Sequence, residues 1–184
     1  ETYFEYIRKI NLQTGIITKV AGGQAGFSGD GGAANNARLN DVKGMVFDQN
    51  GSLYIVDNNN HRIRKINANG IITTIGGTGT QGNTGDGDLA INAQIGFPES
   101  LAINGNDLYL SSMHGGGIAG PSYVAIRKIN LLTGIITKVA GGESGFSGDG
   151  GPAINARLDD VEAMVFDQNG SLYIADSDNH RIRK

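Results

Sequence analysis

Three aspartates stand between glycines: Asp30 in Gly29-Asp30-Gly31, Asp86 in Gly85-Asp86-Gly87 and Asp149 in Gly148-Asp149-Gly150. A carboxylate beside flexible backbone carbonyls is the oxygen chemistry that Ca2+ takes. A calcium loop supplies oxygen side chains at alternating positions, and here Asp86 with Asp88 comes nearest to that. The plainer expectation is that each Asp caps its own loop while glycine takes positive φ. Asp57 and Asp176 precede Asn60-His61-Arg62 and Asn179-His180-Arg181, where Asp and Asn commonly brace a turn by accepting its backbone N–H groups. His61 and His180 are equivalent in sequence and each is expected to serve its own unit. With His114 they do not give the three converging ligands of a catalytic metal site. Ser28 and Ser147 lie in glycine loops without an assignable His–Asp pair, so nucleophilic catalysis is not expected of them. Arg62, Arg64 and Lys65, with their copies, form basic stripes expected to be salt-bridged and solvated. Phe27 and Phe146 are aromatic residues in glycine loops, suited to anchoring a partner or to filling the gap between neighbouring units. Phe27, Asp30, Asp86, Phe146 and Asp149 are therefore the candidate binding residues, and no catalytic or metal-ligating set is assigned. Asn50-Gly51-Ser52 and Asn169-Gly170-Ser171 match the N-glycosylation acceptor pattern at Asn50 and Asn169, and equally suit hairpin turns.

These residues recur because the chain repeats. Residues 7–65 and 126–184 are identical at 48 of 59 positions, and Ile7, Ile63, Ile126 and Ile182 are spaced by 56, 63 and 56 residues. Such a period indicates stacked supersecondary units, here approximate repeats 7–62, 63–125 and 126–184 within one segment, 1–184. Each unit shows four short β signals, at 43–48, 53–57, 62–66 and 71–75 in the first full copy, separated by Asn- and Gly-rich turns. Apolar residues on both faces, as in Leu53-Tyr54-Ile55-Val56, require a sheet packed between neighbours. Four-stranded antiparallel meanders packed face to face make a β-propeller. The order reads c-d, a-b-c-d, a-b-c-d, a-b-c, thirteen strands, with 3–11 and the last five residues both third strands. An insertion at 113–122 separates the second and third strands of the middle unit.

The glycine-aspartate loop, then Gly51-Ser52-Leu53-Tyr54-Ile55-Val56-Asp57, then Asn60-His61-Arg62-Ile63-Arg64-Lys65, resembles the NHL repeat. The resemblance covers essentially the whole chain and implies an all-β propeller, most often six-bladed, of which this chain holds about three blades. The middle copy departs from the pattern: Ser112 stands where Asp57 and Asp176 stand, and the Asn-His-Arg turn is absent. The resemblance points to three functions. A non-enzymatic interaction scaffold or structural component, presenting loops to protein or glycan partners, agrees with the near-identity of alternate units. A lyase or lactone hydrolase with a metal on the axis would need catalytic residues mostly outside these blades. RNA binding, as in NHL domains attached to ubiquitin-ligase modules, would need a basic surface.

Composition narrows these. The net charge is −3 with a pI near 5.5, whereas a phosphate-tracking surface carries a basic excess, so no nucleic-acid partner is expected. The absence of cysteine excludes disulfides and thiol chemistry. No apolar run approaches a membrane span, and the first residues carry no signal-peptide pattern. No cofactor is expected beyond Ca2+ at the aspartate loops. Three blades do not close a ring, so the expected neighbours are other blades of a longer chain or further copies of this one, in a ring or a filament. The glycine-aspartate loops resemble those of NHL repeats in secreted and cell-surface proteins, a resemblance that implies an extracellular or cell-surface setting.

Overall fold

The computed structural model describes residues 3–115 and 122–184; part of the 113–122 insertion lies outside them. Among the described residues thirteen strands form four antiparallel sheets. β1 (Phe4–Ile10) and β2 (Ile17–Gln24) form a hairpin. β3 (Val42–Phe47), β4 (Leu53–Asp57), β5 (Arg62–Ile66) and β6 (Ile72–Gly76) form a complete meander. β7 (Pro98–Asn104), β8 (Asp107–His114), β9 (Tyr123–Asn130) and β10 (Ile136–Glu143) form another. β11 (Val161–Phe166), β12 (Leu172–Asp176) and β13 (Arg181–Arg183) close the series. The strand count and the c-d, abcd, abcd, abc order are as the turn signals require. The outer strands of the first full blade lie one residue away from the positions read in sequence, at Val42–Phe47 and Ile72–Gly76.

The blades share local devices. In the a–b turn, Asp48 Oδ1 accepts the amides of Asn50 and Ser52, and Asp167 Oδ1 those of Asn169 and Ser171. Opposite the third strand the outer strand carries a one-residue bulge, at Val20 facing Ile7/Arg8, at Ile75 facing Ile63/Arg64 and at Val139 facing Ile126/Arg127. The first strands β3, β7 and β11 pack side by side. A Cβ on Gly44 of β3 would stand 2.7 Å from the Glu99 carbonyl oxygen, so this approach needs glycine.

Three apolar cores lie between the four sheets. Ile7 and Ala21 meet Leu53, Ile55 and Ile72 in the first. Tyr54 and Val56 meet Leu101 and Leu108 in the second, and Val124 and Ile126 meet Val161 and Ile174 in the third. Each wholly buried Leu or Ile contributes roughly 1.5–3 kcal/mol, so a blade is stable through its neighbours. Among the described residues the sheets form an arc of β-propeller blades and do not close.

Candidate functional site

In an antiparallel meander the b–c turn and the loop leaving strand d fall at the same end of the blade, so the candidate residues gather on one loop face. At its centre lies a buried arginine. Arg64, on β5, is 0% exposed. Its Nη1 donates to Asp57 Oδ2 at 3.2 Å, and its Nη2 to Asp30 Oδ1 at 2.9 Å and to the Ser28 carbonyl at 3.2 Å. Asp30 Oδ2 accepts from Thr74 Oγ1 at 2.7 Å. Asp57 Oδ1 accepts the Asn40 amide and Asn60 Nδ2, both at 2.8 Å. Burial pushes the Asp57 carboxyl up from the ordinary range, opposed by those donors and by the Arg64 charge. The clasp thus ties the third strand, the b–c turn and the preceding inter-blade loop into one unit.

The same clasp recurs at β13, where Arg183 bonds Asp149 at 2.7 Å, Asp176 at 3.3 Å and the Ser147 and Arg157 carbonyls. On β9, Arg127 bonds Asp86 at 3.0 Å and the carbonyls of Gln94 and Thr84. Two expectations are corrected here. The Gly-Asp-Gly aspartates Asp30, Asp86 and Asp149 do not cap their own loops; each neutralises a third-strand arginine. Of the basic stripes, Arg64, Arg127 and Arg183 are salt-bridged but buried, not solvated, while Arg62 and Arg181 bond backbone carbonyls instead. Glycine permits the arrangement: a Cβ on Gly29, Gly85 or Gly148, all at φ +93, would meet the Cα of Ala37, Ala93 or Ala156 at 2.8, 2.7 and 2.7 Å. Among the described residues, no three His, Cys, Asp or Glu side chains are placed to hold a metal ion. Asp57 reaches past its own turn to the Asn40 amide, so the brace is wider than a local one.

Phe27 and Phe146 stand on the surface of this unit. The Arg62 guanidinium lies 3.8 Å from the Phe27 ring centre and Arg181 lies 3.9 Å from that of Phe146. Arg62 is fixed by the Asn60 and Thr78 carbonyls at 2.9 and 2.7 Å. The rings remain 41% and 44% exposed, held by a cation–π contact. In the middle blade Asn83 and Ala125 occupy the equivalent positions, so that blade has no such stack. His61 takes the left-handed conformation, φ +52, and its ring meets Phe97 of the next blade edge-on at 4.9 Å. It therefore serves two blades, not its own alone.

The sequence reading missed an acidic rim beside the first strands. Asp160, Glu162 and Asp41 act on Glu99, and Lys43 is the cation among them. Burial, then the Asp160 charge, raises the Glu99 carboxyl; burial, then Asp178, raises those of Asp159 and Asp160. The alignment of Lys43, Glu99 and Glu162 at one position of three first strands was the available signal. The acceptor asparagines Asn50 and Asn169 are exposed in the a–b turns of the opposite face.

The description "Teneurin NHL domain" fits a family model matching residues 4–116, and "NHL repeat" one matching 158–184. Human Teneurin-1 is 30% identical over 163 residues, covering 85% of this chain and 6% of that protein. Teneurin-3 of Danio rerio is 31% identical over the same length and shares. A Bacteroides thetaiotaomicron structural genomics protein of unknown function superposes with a TM-score of 0.71 at 22% identity, over 96% of this chain and 41% of that one. An auxiliary nutrient binding protein from the same organism gives 0.68 at 19% identity, over 96% and 42%. The chain thus spans a small part of its curated relatives and under half of these structures.

Proposed function

Because the chain belongs to the teneurin NHL domain family, we propose that it is a non-enzymatic interaction scaffold whose loop face grips a protein partner through Phe27 and Phe146. The observation that carries this reading is the pair of exposed rings, each set in place by an arginine, repeated 119 positions apart. An aromatic side chain already ordered before binding loses little rotamer entropy on contact. The acidic rim of Glu99, Asp160 and Glu162 beside the loop face favours a partner that brings basic groups. Asp30, Asp86 and Asp149 act here as supports of the loops rather than as contacts. A saccharide is the second reading: flat exposed rings suit a sugar face, and one structural neighbour is described as a nutrient binding protein. Asn50 and Asn169, exposed on the opposite face, would carry glycans without obstructing the loop face in an extracellular setting.

The test is binding of the fluorescently labelled domain to cell surfaces, with the Phe27→Ala/Phe146→Ala double variant alongside. The double variant is expected to lose at least about tenfold in affinity, equivalent to about 1.4 kcal/mol. Protease treatment of the cells should abolish binding if the partner is a protein, and glycosidase treatment if it is a saccharide. Equal binding by the double variant, or none by the natural sequence, would remove this reading.

A further inference from the structure

The seam between the two complete blades holds a cleft of about 440 Å3 on the face opposite the loops. It is lined by the a–b turn of the β3–β6 blade at 48–50, by turns of the next blade at 105–106 and 131–132, and by Tyr54 and Lys65. Both flanking blades are whole, so neither end of the chain shapes it. At the following seam Phe166 takes up the corresponding space, packing edge-on to Tyr109 at 4.9 Å. Here the first strand of the second blade carries Ile103 in its place, and its turn is shorter. Four residues separate the paired Ile103 and Leu108, against five between Phe47 and Leu53. Less side chain and less backbone leave the room, and the volume falls within the roughly 300–1,000 Å3 of small-molecule sites.

The charges of this cleft are unequal. Lys128, the equivalent of Lys65, pairs with Asp107 at 3.1 Å. Ser52 precedes Leu53 where Asp107 precedes Leu108, so Lys65 has lost that partner, and no other carboxylate lies within ion-pair distance of it among the described residues. Its ammonium stands 5.4 Å from the Tyr54 ring centre. Asp48, the carboxylate of the cleft, is already committed. Its Oδ1 accepts the Asn50 and Ser52 amides and its Oδ2 the Tyr54 hydroxyl at 3.1 Å. Burial and the Asp48 carboxylate push that hydroxyl up to about 12, so it stays a donor to Asp48.

What remains to meet a ligand is one uncompensated ammonium, the carboxamides of Gln49 and Asn106, and the apolar Leu132, 76% exposed. A lysine is a compact point charge that matches a single carboxylate. A phosphate would bring a second negative charge toward Asp48, which repels it. Carboxamides donate and accept at once, as hydroxyl partners require. A leucine side chain suits a C–H face. One carboxylate, several hydroxyls and a C–H face together describe a sugar acid. We propose that this seam binds an acidic sugar of the hexuronate class, its carboxylate on Lys65 Nζ, its hydroxyls on Gln49 and Asn106, and its C–H face on Leu132. The site stands apart from Phe27 and Phe146, which lie on the other face, and does not depend on them.

The experiment is a 1H–15N NMR titration of the chain with D-glucuronate and with D-galacturonate, at about 20 mM salt so that the Lys65 charge is weakly screened. Asn50 is at the rim of the cleft, so the chain is produced in bacteria, without glycans. The amides of Gly51, Gly105, Asn106 and Leu132 are expected to shift saturably with at least one uronate, and D-glucose to bind at least about tenfold more weakly. Lys65→Gln should weaken uronate binding by at least about tenfold with an unchanged far-UV circular dichroism spectrum. Lys128→Gln, whose ammonium is already paired, should leave it as it was. No saturable shift with either uronate, equal binding by Lys65→Gln, or shifts centred on Phe27 and Phe146 would overturn the proposal. So would inorganic phosphate binding as tightly as the uronates, which would reduce the site to a general anion contact.

Discussion

In the blades β3–β6 and β11–β13 the clasp arginine meets two carboxylates; in β7–β10 Arg127 meets one. Ser112 stands where the second would be, and the Asn-His-Arg sequence of the b–c turn is absent. In this blade β8 and β9 run for eight residues each, against five for β4 and β5, and Ser111 Oγ accepts the Ser100 amide at 3.0 Å. The difference separates two tasks. Pairing the Gly-Asp-Gly loop to the third strand occurs in all three blades and belongs to the architecture. The second aspartate, the Asn-His-Arg turn and the Phe–Arg stack occur together in two blades and equip the loop face.

The largest effect should come from removing the lone carboxylate. Asp86→Ala strands a buried guanidinium on carbonyls alone and is expected to cost about 3 kcal/mol. Asp57→Ser, which copies the middle blade into its neighbour, leaves Asp30 on Arg64 but orphans the Asn40 amide; about 2 kcal/mol is expected. Asp30→Ala keeps the better-buried Asp57 and should cost about 1–2 kcal/mol. Urea midpoints at constant slope measure all three, and equal costs for Asp30→Ala and Asp86→Ala would break the comparison.

A smaller effect concerns pH. The Glu99, Asp159 and Asp160 carboxyls are raised in the folded chain, so the folded state takes up protons before the unfolded one. Their contribution to stability should therefore rise as pH falls from 7 toward the ordinary carboxylate range near 4, opposed by His61, which burial and the Arg62 charge hold below its ordinary value. Below that range Asp48, held low by the Ser52 and Asn50 amides and the Tyr54 hydroxyl against the effect of burial, begins to lose its contribution. Glu162→Lys, which copies Lys43 of the first blade, should flatten the rise in a series of thermal melts. The smallest effect is Phe27→Ala, expected to cost only about 0.5–1 kcal/mol, because an exposed cation–π contact is weak; a cost of several kcal/mol would move Phe27 from the loop surface into the architecture.

The strands were legible because Asn-Gly turns and short apolar runs are local signals, and the outer boundaries moved by one residue because bulges are not. The clasp was not legible locally. A lone Arg in an Ile-Arg-Lys-Ile strand reads as solvated, and its partner Asp30 lies 34 residues away. A non-local signal did exist: the divergent middle copy retains Asp86 and Arg127 while losing the second aspartate, the histidine turn and the loop phenylalanine. Joint survival of two opposite charges in three copies marks a pair. The acidic rim escaped because Lys43, Glu99 and Glu162 look unrelated until three first strands are laid side by side.

The near-identity of residues 7–65 and 126–184 has a consequence for how the chain finds its fold. Two stretches alike at 48 of 59 positions can each dock where the other belongs, giving compact states close in energy to the correct one, a source of frustration during folding. The middle blade lifts that degeneracy. Its longer strands and single-carboxylate clasp fit neither neighbour's seat, so it acts as a fixed reference from which the two like blades are told apart.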